Sequence, residues 1–304
     1  MGDIKLFTIT NGKVGELVGS TETVEKSVQT LFEKNLEVLL GVRFLASEFP
    51  TTHGGRIDTL GLDENRCPVI VEYKRASNQN VINQGLFYLD WLMDHRMDFQ
   101  WLTLERLGKA DAGAVDWSAP RLICVAGDFY RYDDHAVKQM QRNIELIRYR
   151  RFGADLLMLD LVYASTLKSA TDTKQISGEG AITPTKYKKI GTILSELDAG
   201  MGDRFEALRA YLRALGDDVQ ETTLQFYIAF KRIKNFACVE FRPMAAKILI
   251  YVKVDPSEVK LEQDFTRDVR KLGHYGTGDL EITLSKPEDL DRAKPLIQRS
   301  YDAS

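Results

Sequence analysis

The chain has 304 residues, which is enough for two ordinary domains or one large one. Its hydrophobic share of 44% and charged share of 28% are those of a globular protein, and no apolar run predicts a membrane-spanning helix. The first residues lack the pattern of a secretory signal, so we expect a cytoplasmic protein. The net charge of −3 argues against coating of nucleic acid by bulk electrostatics, but it is compatible with a carboxylate-rich metal site.

The cysteines exclude two further classes of protein. Cys67, Cys124 and Cys238 are far apart, odd in number and form no CxxC pair. They predict neither a zinc site nor a disulfide framework, and we expect buried, reduced thiols.

The first half of the chain alternates helices and strands. Asn11-Gly12 predicts a β-hairpin, because this pair adopts the positive φ of a tight turn. Helical spacing of apolar residues over 23–40 is followed by Gly41, a typical helix C-cap. Three strands are then expected at residues 43–51, 56–62 and 69–74, followed by a helix over 80–95, a strand over 121–126, a helix over 134–151 and a strand over 155–164. This order favours a mixed α/β sheet flanked by helices.

The second half differs in pattern. Residues 165–189 are rich in Ser, Thr, Gly and Lys, with five lysines against two acidic residues, and predict a polar basic linker. Beyond it we expect a helix near 205–215, strands at 224–232, 237–242, 247–254 and 279–284, and a closing helix over 287–299. The predicted organisation is therefore a domain of residues 1–164, a linker and a smaller α+β accessory domain of residues 190–304.

One strand of the first domain carries two ionisable residues on one face. In the segment VIVEYK, Ile70, Glu72 and Lys74 share a face by strand alternation. Burying a carboxylate and an ammonium together is unfavourable unless they pair or bind a metal. If the preceding segment RIDTLGL pairs with this strand as a hairpin, Asp58 lies opposite Glu72 on the same face. A slip of one residue would move Asp58 to the other face, so the prediction depends on the register.

The first helix adds a further carboxylate. At 100° per residue, Glu25 falls within the stripe formed by Val28, Phe32, Leu36 and the leucines that follow, where a charge needs a partner. Glu33, by contrast, falls at the margin of this stripe and is expected to be solvated. A stabilising position at the helix N-terminus is the alternative for Glu25.

These groups suit the hydrolysis of phosphodiesters. Mg²⁺ or Mn²⁺ prefers oxygen ligands, which Asp58, Glu72 and Glu25 could supply as metal ligands. Lys74 could orient or deprotonate the attacking water, or stabilise charge on the phosphate. The bare ExK pattern is not specific, since Glu258-Val259-Lys260 repeats it in a predicted loop of the second domain.

The segment from Val24 onward resembles the PD-(D/E)XK nuclease superfamily, and in particular the NucS-like endonuclease domain. The matches are Glu25 in the first helix, Asp58, the pair Glu72 and Lys74, and Gln84 with Tyr88 in the following helix. The resemblance implies a restriction-endonuclease-like core up to about Ala164, with Gln84 as a further catalytic residue. The residue before Asp58 is Ile57 rather than Pro. The C-terminal half resembles an uncharacterised domain appended to such proteins, which implies no activity.

The sequence therefore predicts a Mg²⁺- or Mn²⁺-dependent endonuclease that hydrolyses DNA. A homodimer is expected, since cutting two strands takes two sites. Two alternatives remain. The carboxylates and Lys74 could form a structural ion pair in a catalytically silent module that binds nucleic acid or a protein. The basic and aromatic residues between Tyr130 and Phe152 could form a nucleic-acid surface, or an ordinary solvated helix face.

Overall fold

The structure is a computed structural model, and it describes residues 4–21, 25–52, 54–74, 80–165 and 188–304. The chain divides into two compact units. Unit 1 comprises Met1–Asp63, Pro68–Val115 and Pro120–Ser165, and unit 2 comprises Glu64–Cys67, Asp116–Ala119 and Thr166–Ser304. Within the described ranges, no helix has the length and apolar character needed to cross a membrane. Most of the predicted linker, residues 166–187, lies outside the described residues, and the bounds of the two predicted domains stay a prediction.

Unit 1 begins with a hairpin, in which Asn11 and Gly12 adopt the positive φ values of 52° and 75° that the turn requires. Its elements in chain order are β1 (Leu6–Thr10), β2 (Lys13–Leu17), β3 (Gly19–Ser20), α1 (Glu25–Lys34), α2 (Leu36–Leu40), β4 (Val42–Pro50), β5 (Arg56–Asp63), β6 (Pro68–Lys74), α3 (Asn80–Asp94), α4 (Arg96–Leu107), α5 (Lys109–Ala112), β7 (Arg121–Ala126), α6 (Arg131–Gln139), β8 (Asn143–Phe152) and β9 (Leu156–Ser165).

The main sheet of unit 1 is mixed. Its strand order is β3-β8-β7-β6-β5-β4, and β9 pairs with β8. Strands β4, β5 and β6 are antiparallel neighbours, whereas β6, β7 and β8 run parallel. The parallel pairs are joined by helical crossovers, as parallel strands require. The predicted mixed α/β sheet flanked by helices is confirmed, and a separate β-rich C-terminal unit follows it.

Helices cover both faces of this sheet. On one face the fully buried Phe32 of α1 packs edge-on against Tyr73 and Tyr149, with ring centroids 5.7 and 6.4 Å apart. On the other face α3 approaches β7 so closely that a Cβ on Gly85 would lie 2.5 Å from Leu122. Because neighbours along β6 alternate, Tyr73 faces α1 and Glu72 faces the side of α3.

The predicted helix over residues 134–151 is wrong. The structure has a short helix, α6, that ends at Gln139, and residues 143–152 form the buried strand β8. Charged residues at helical intervals resembled a solvated face, but in the sheet they are paired. Glu145 binds Arg121 at 2.8 Å, and Arg148 binds Asp160 at 2.6 Å. Helix α4 lies in a region for which no helix was expected.

Unit 2 contains helices and strands in the chain order α7 (Ile190–Ser195), α8 (Ala199–Ala214), β10 (Gln220–Thr223), β11 (Ile228–Lys231), β12 (Asn235–Arg242), β13 (Lys247–Val252), β14 (Thr266–Asp268), β15 (Leu280–Leu284) and α9 (Asp289–Asp302), with 3₁₀ turns at Pro243–Ala245 and Pro256–Glu258. Its strands form a six-stranded antiparallel sheet in the order β10-β11-β12-β13-β15-β14. Residues of α8 and α9, including Phe205, Leu208, Ala293 and Ile297, form one core with the apolar residues of the sheet.

The three cysteines of the chain, Cys67, Cys124 and Cys238, are buried, as expected.

Candidate active site

The hairpin register places Asp58 and Glu72 side by side. Thr59 pairs with Val71 and Leu60 with Ile70, so Asp58 is level with Glu72 where the regular ladder between β5 and β6 ends. Two cross-links continue the pairing. The amide of Asp58 donates to Glu72 Oε1 at 3.2 Å, and the amide of Tyr73 donates to Asp58 Oδ2 at 3.0 Å. The register on which the prediction depended is therefore the one that the structure adopts.

Glu72 is a buried carboxylate with an incomplete set of partners. Its side chain is fully buried, and among the described residues its Oε2 atom has no hydrogen-bond partner. Burial and the adjacent Asp58 raise the pKa of Glu72 to about 9, while burial also raises the pKa of Asp58. The two adjacent carboxyl groups therefore resist ionisation, and a divalent cation bound to both would stabilise their ionised forms.

Lys74 is the last residue of β6, and its side chain is 20% exposed. Its Nζ atom lies 3.8 Å from Oε2 of Glu25. The expectation that Glu25 lies inside the apolar stripe is wrong, because its side chain is 48% exposed. Glu25 thus belongs to the surroundings of Lys74, and its predicted role as a metal ligand stays a prediction.

The polar residue that α1 does bury is Gln29. Its amide Nε2 donates to the carbonyl of Asp58 at 2.8 Å and to Glu33 Oε1 at 2.9 Å. Glu33 also accepts a hydrogen bond of 2.7 Å from Thr59, so the expectation of a solvated Glu33 is wrong. These bonds attach α1 to β5 beside Asp58. The roles of Gln29 and Thr59 were not predicted, because the prediction considered only charged residues at these positions.

Gln84 lies on α3 and is linked to the loop before β5. Its Nε2 atom donates to the Tyr88 hydroxyl at 3.2 Å, and that hydroxyl also accepts from the amide of Arg56 at 3.2 Å. Gly55 has a φ of +91°, and a Cβ there would lie 2.6 Å from the Tyr88 hydroxyl. Gln84 therefore contacts the start of β5 through Tyr88, and its predicted catalytic role stays a prediction.

A further carboxylate, Glu48 on β4, was missed. Ser47 pairs with Thr59 and Phe49 with Ile57, so Glu48 is level with Asp58 in the neighbouring strand. Its φ of +52° is rare for a residue other than glycine. The carboxylate accepts a hydrogen bond of 2.8 Å from Lys26, which lowers the pKa of Glu48. No local motif predicts this position, because only the pairing of β4 with β5 brings Glu48 near the site.

The donor set fits a magnesium-like cation. Mg²⁺ is typically held by one or two carboxylates and keeps several waters or substrate phosphates as its other ligands. Asp58 and Glu72, with the unpartnered Oε2 atom, supply such a pair. Within the ranges that the structure describes, no group of three or more His, Cys, Asp or Glu is arranged to hold a metal. Metal binding by Asp58, Glu72 and Glu25 stays a prediction.

Comparisons with known proteins concern both units. Residues 191–304 match the family model described as a domain of unknown function, DUF5655. A repair endonuclease from Pyrococcus abyssi of known crystal structure aligns with 42% of this chain and 49% of its own length, at 21% identity and a TM-score of 0.29. An uncharacterized protein from Haemophilus influenzae (strain Rd) is 30% identical over 310 residues, covering 98% of this chain and 99% of that protein. The chain therefore belongs to the same family as this Haemophilus influenzae protein.

Proposed function

We propose that unit 1 is a Mg²⁺- or Mn²⁺-dependent endonuclease that hydrolyses DNA phosphodiester bonds. The observation that carries the proposal is the pair of adjacent carboxyl groups, Asp58 and Glu72, in which a fully buried oxygen has no partner. Burying such a group without a partner is unfavourable in a purely structural role, whereas a bound cation would supply the partner. The resemblance to NucS-like endonucleases supports the same reading.

Each residue has a distinct part in the proposed site. Asp58 and Glu72 would hold the cation, which when bound lowers the pKa of water and neutralises charge on the phosphate. The amides of Asp58 and Tyr73 keep the two carboxyl groups in place. Lys74, only 20% exposed at the end of the same strand, carries a positive charge that can orient the attacking water or stabilise charge that develops on the phosphate. Glu25, the partner of Lys74, positions that ammonium.

Cleavage assays test the proposal directly. Supercoiled plasmid, single-stranded and branched DNA are incubated with Mg²⁺, with Mn²⁺ or with EDTA. We expect metal-dependent cleavage that Asp58→Ala and Lys74→Ala abolish while circular dichroism shows an intact fold. Glu37→Gln, which changes an exposed carboxylate of the neighbouring helix α2, is the control and should cleave as the unmodified protein does. If both site variants cut as well as the unmodified protein, the site has been misassigned.

A second function is a catalytically silent module that binds nucleic acid or a protein. The ion pair of Lys74 with Glu25, 3.8 Å apart, favours it, because such a pair can have a purely structural role. Titration calorimetry with Mn²⁺ separates the two functions. The nuclease should bind Mn²⁺, and Asp58→Asn should lose that binding, whereas the silent module should have no affinity in either form. A cytoplasmic location and a homodimer, with one site for each DNA strand, complete the proposal.

A further inference from the structure

An exposed arginine next to the carboxyl pair makes a single long ion pair among the described residues. Arg56 is the first residue of β5, and its side chain is 67% exposed. Its Nε atom lies 3.7 Å from Oε2 of Glu48, which is an ion-pair distance but too long for a hydrogen bond. Among the described residues, the guanidinium has no other ion-pair or hydrogen-bond partner, although its five donors can bind a phosphate in a bidentate manner.

The position of Arg56 relative to the site follows from strand geometry. Arg56 and Asp58 are two residues apart on β5, so their side chains leave the same face of the strand, roughly 7 Å apart. The amide of Arg56 is anchored by the Tyr88 hydroxyl at 3.2 Å, which holds the backbone at this point. The guanidinium of Arg56 thus lies beside the carboxyl pair, at a separation comparable to that between neighbouring phosphates along one DNA strand.

Arg56 can leave its ion pair with Glu48 without leaving Glu48 unpaired. Glu48 is 37% exposed and accepts a 2.8 Å hydrogen bond from Lys26 at its other oxygen. If Arg56 turns toward a phosphate, Glu48 keeps Lys26. Exposed ion pairs are weak and are screened by salt, so an incoming polyanion can compete with Glu48 for the guanidinium.

We propose that Arg56 binds a backbone phosphate of the nucleic-acid substrate adjacent to the phosphate at the Asp58–Glu72 pair, and that this phosphate displaces Glu48. The inference rests on the proposed function. Arg56 contributes to substrate binding, and Glu48 holds the guanidinium in the absence of substrate. Because a phosphate contact does not read bases, the contribution is the same for every DNA sequence.

The test compares two variants that break the same ion pair. Binding of a fluorescein-labelled DNA duplex is measured by anisotropy in EDTA over a range of salt concentrations. Arg56→Gln should bind about tenfold more weakly and reduce the salt slope by about 1, whereas Glu48→Gln should bind at least as tightly as the unmodified protein. In cleavage assays Arg56→Gln should raise KM with little change in kcat, and Arg56→Lys should recover part of the loss. Arg106→Gln, an exposed arginine of α4, is the matched control.

The outcomes separate this inference from the proposed function. If Arg56→Gln and Glu48→Gln weaken binding alike, the ion pair is structural and the inference is overturned. Binding by Arg56→Gln at the unmodified affinity overturns it too. If the unmodified protein binds DNA but does not cleave it with Mn²⁺ or Mg²⁺, the proposed function fails while Arg56 is still judged by the binding data. If the unmodified protein binds no DNA, both are overturned.

Discussion

Replacing Glu72 by Gln should stabilise the metal-free protein at neutral pH. Burial raises the pKa of Glu72 from 4.5 to about 9, so the folded protein retains a proton that the unfolded chain releases. Between these two values the folded state binds more protons, and the contribution of this group to stability falls as the pH rises. At pH 7, roughly 2.5 units above the usual pKa, the unfavourable contribution is on the order of 3 kcal/mol at 1.36 kcal/mol per unit. Gln resembles the protonated carboxyl group in shape and does not titrate, so the substitution removes this contribution.

Urea unfolding in EDTA at pH 4, 5.5, 7 and 8.5 measures the effect. The free energy of unfolding of Glu72→Gln relative to the unmodified protein should be near zero at the lowest pH and should increase with each step. Glu37→Gln, in which the replaced carboxylate is exposed, should follow the unmodified protein throughout. With Mn²⁺ at about 1,000 times its Kd the order at pH 7 should reverse, because a ligand stabilises the fold that binds it, here by about 4.1 kcal/mol. A Glu72→Gln variant that is less stable than the unmodified protein at pH 7 in EDTA would refute this reasoning, since Glu72 would then be ionised and paired.

Two further predictions concern the framework of unit 1. Arg121 is buried between Asp63 at 2.9 Å and Glu145 at 2.8 Å, so Arg121→Met should lower the free energy of unfolding by about 3–5 kcal/mol, because two buried carboxylates lose their cation. A loss below about 1 kcal/mol in urea unfolding would show that these carboxylates are neutral in the fold. Gly55→Ala should lower the melting temperature more than Gly54→Ala does, since both residues have positive φ but only at Gly55 would a Cβ collide with the tyrosine hydroxyl. Equal effects on the melting temperature would mean that backbone strain alone matters at both positions.

Features that depend on residues close together in the chain could be predicted from the sequence. Asn11-Gly12 forms the expected turn, and Gly41 adopts the expected left-handed C-cap with φ of +64°. The same holds for the carboxyl pair, because alternation along VIVEYK and a five-residue loop between Leu62 and Pro68 are enough to place Asp58 level with Glu72. In each case the deciding interaction involves residues close together in the chain.

Features that depend on distant partners could not be predicted. Residues 143–152 carry charges at helical intervals, and only the ion pairs of Glu145 with Arg121 and of Arg148 with Asp160 allow those charges to lie within a buried strand. Helical spacing over a single helix placed Glu25 in the apolar stripe, whereas the structure has two helices, α1 and α2, and leaves the carboxylate 48% exposed near Lys74.

The carboxyl pair, the adjacent lysine and the strand face that they share can all be identified from the amino-acid sequence, since period-two alternation is a property of the backbone. The surroundings of the pair depend on the folded chain. Glu48 reaches the site because β4 pairs with β5, and the raised pKa of Glu72 arises because helices on both faces of the sheet exclude water from it. Pairing between strands and exclusion of water are collective properties of the folded chain, and no short segment encodes them.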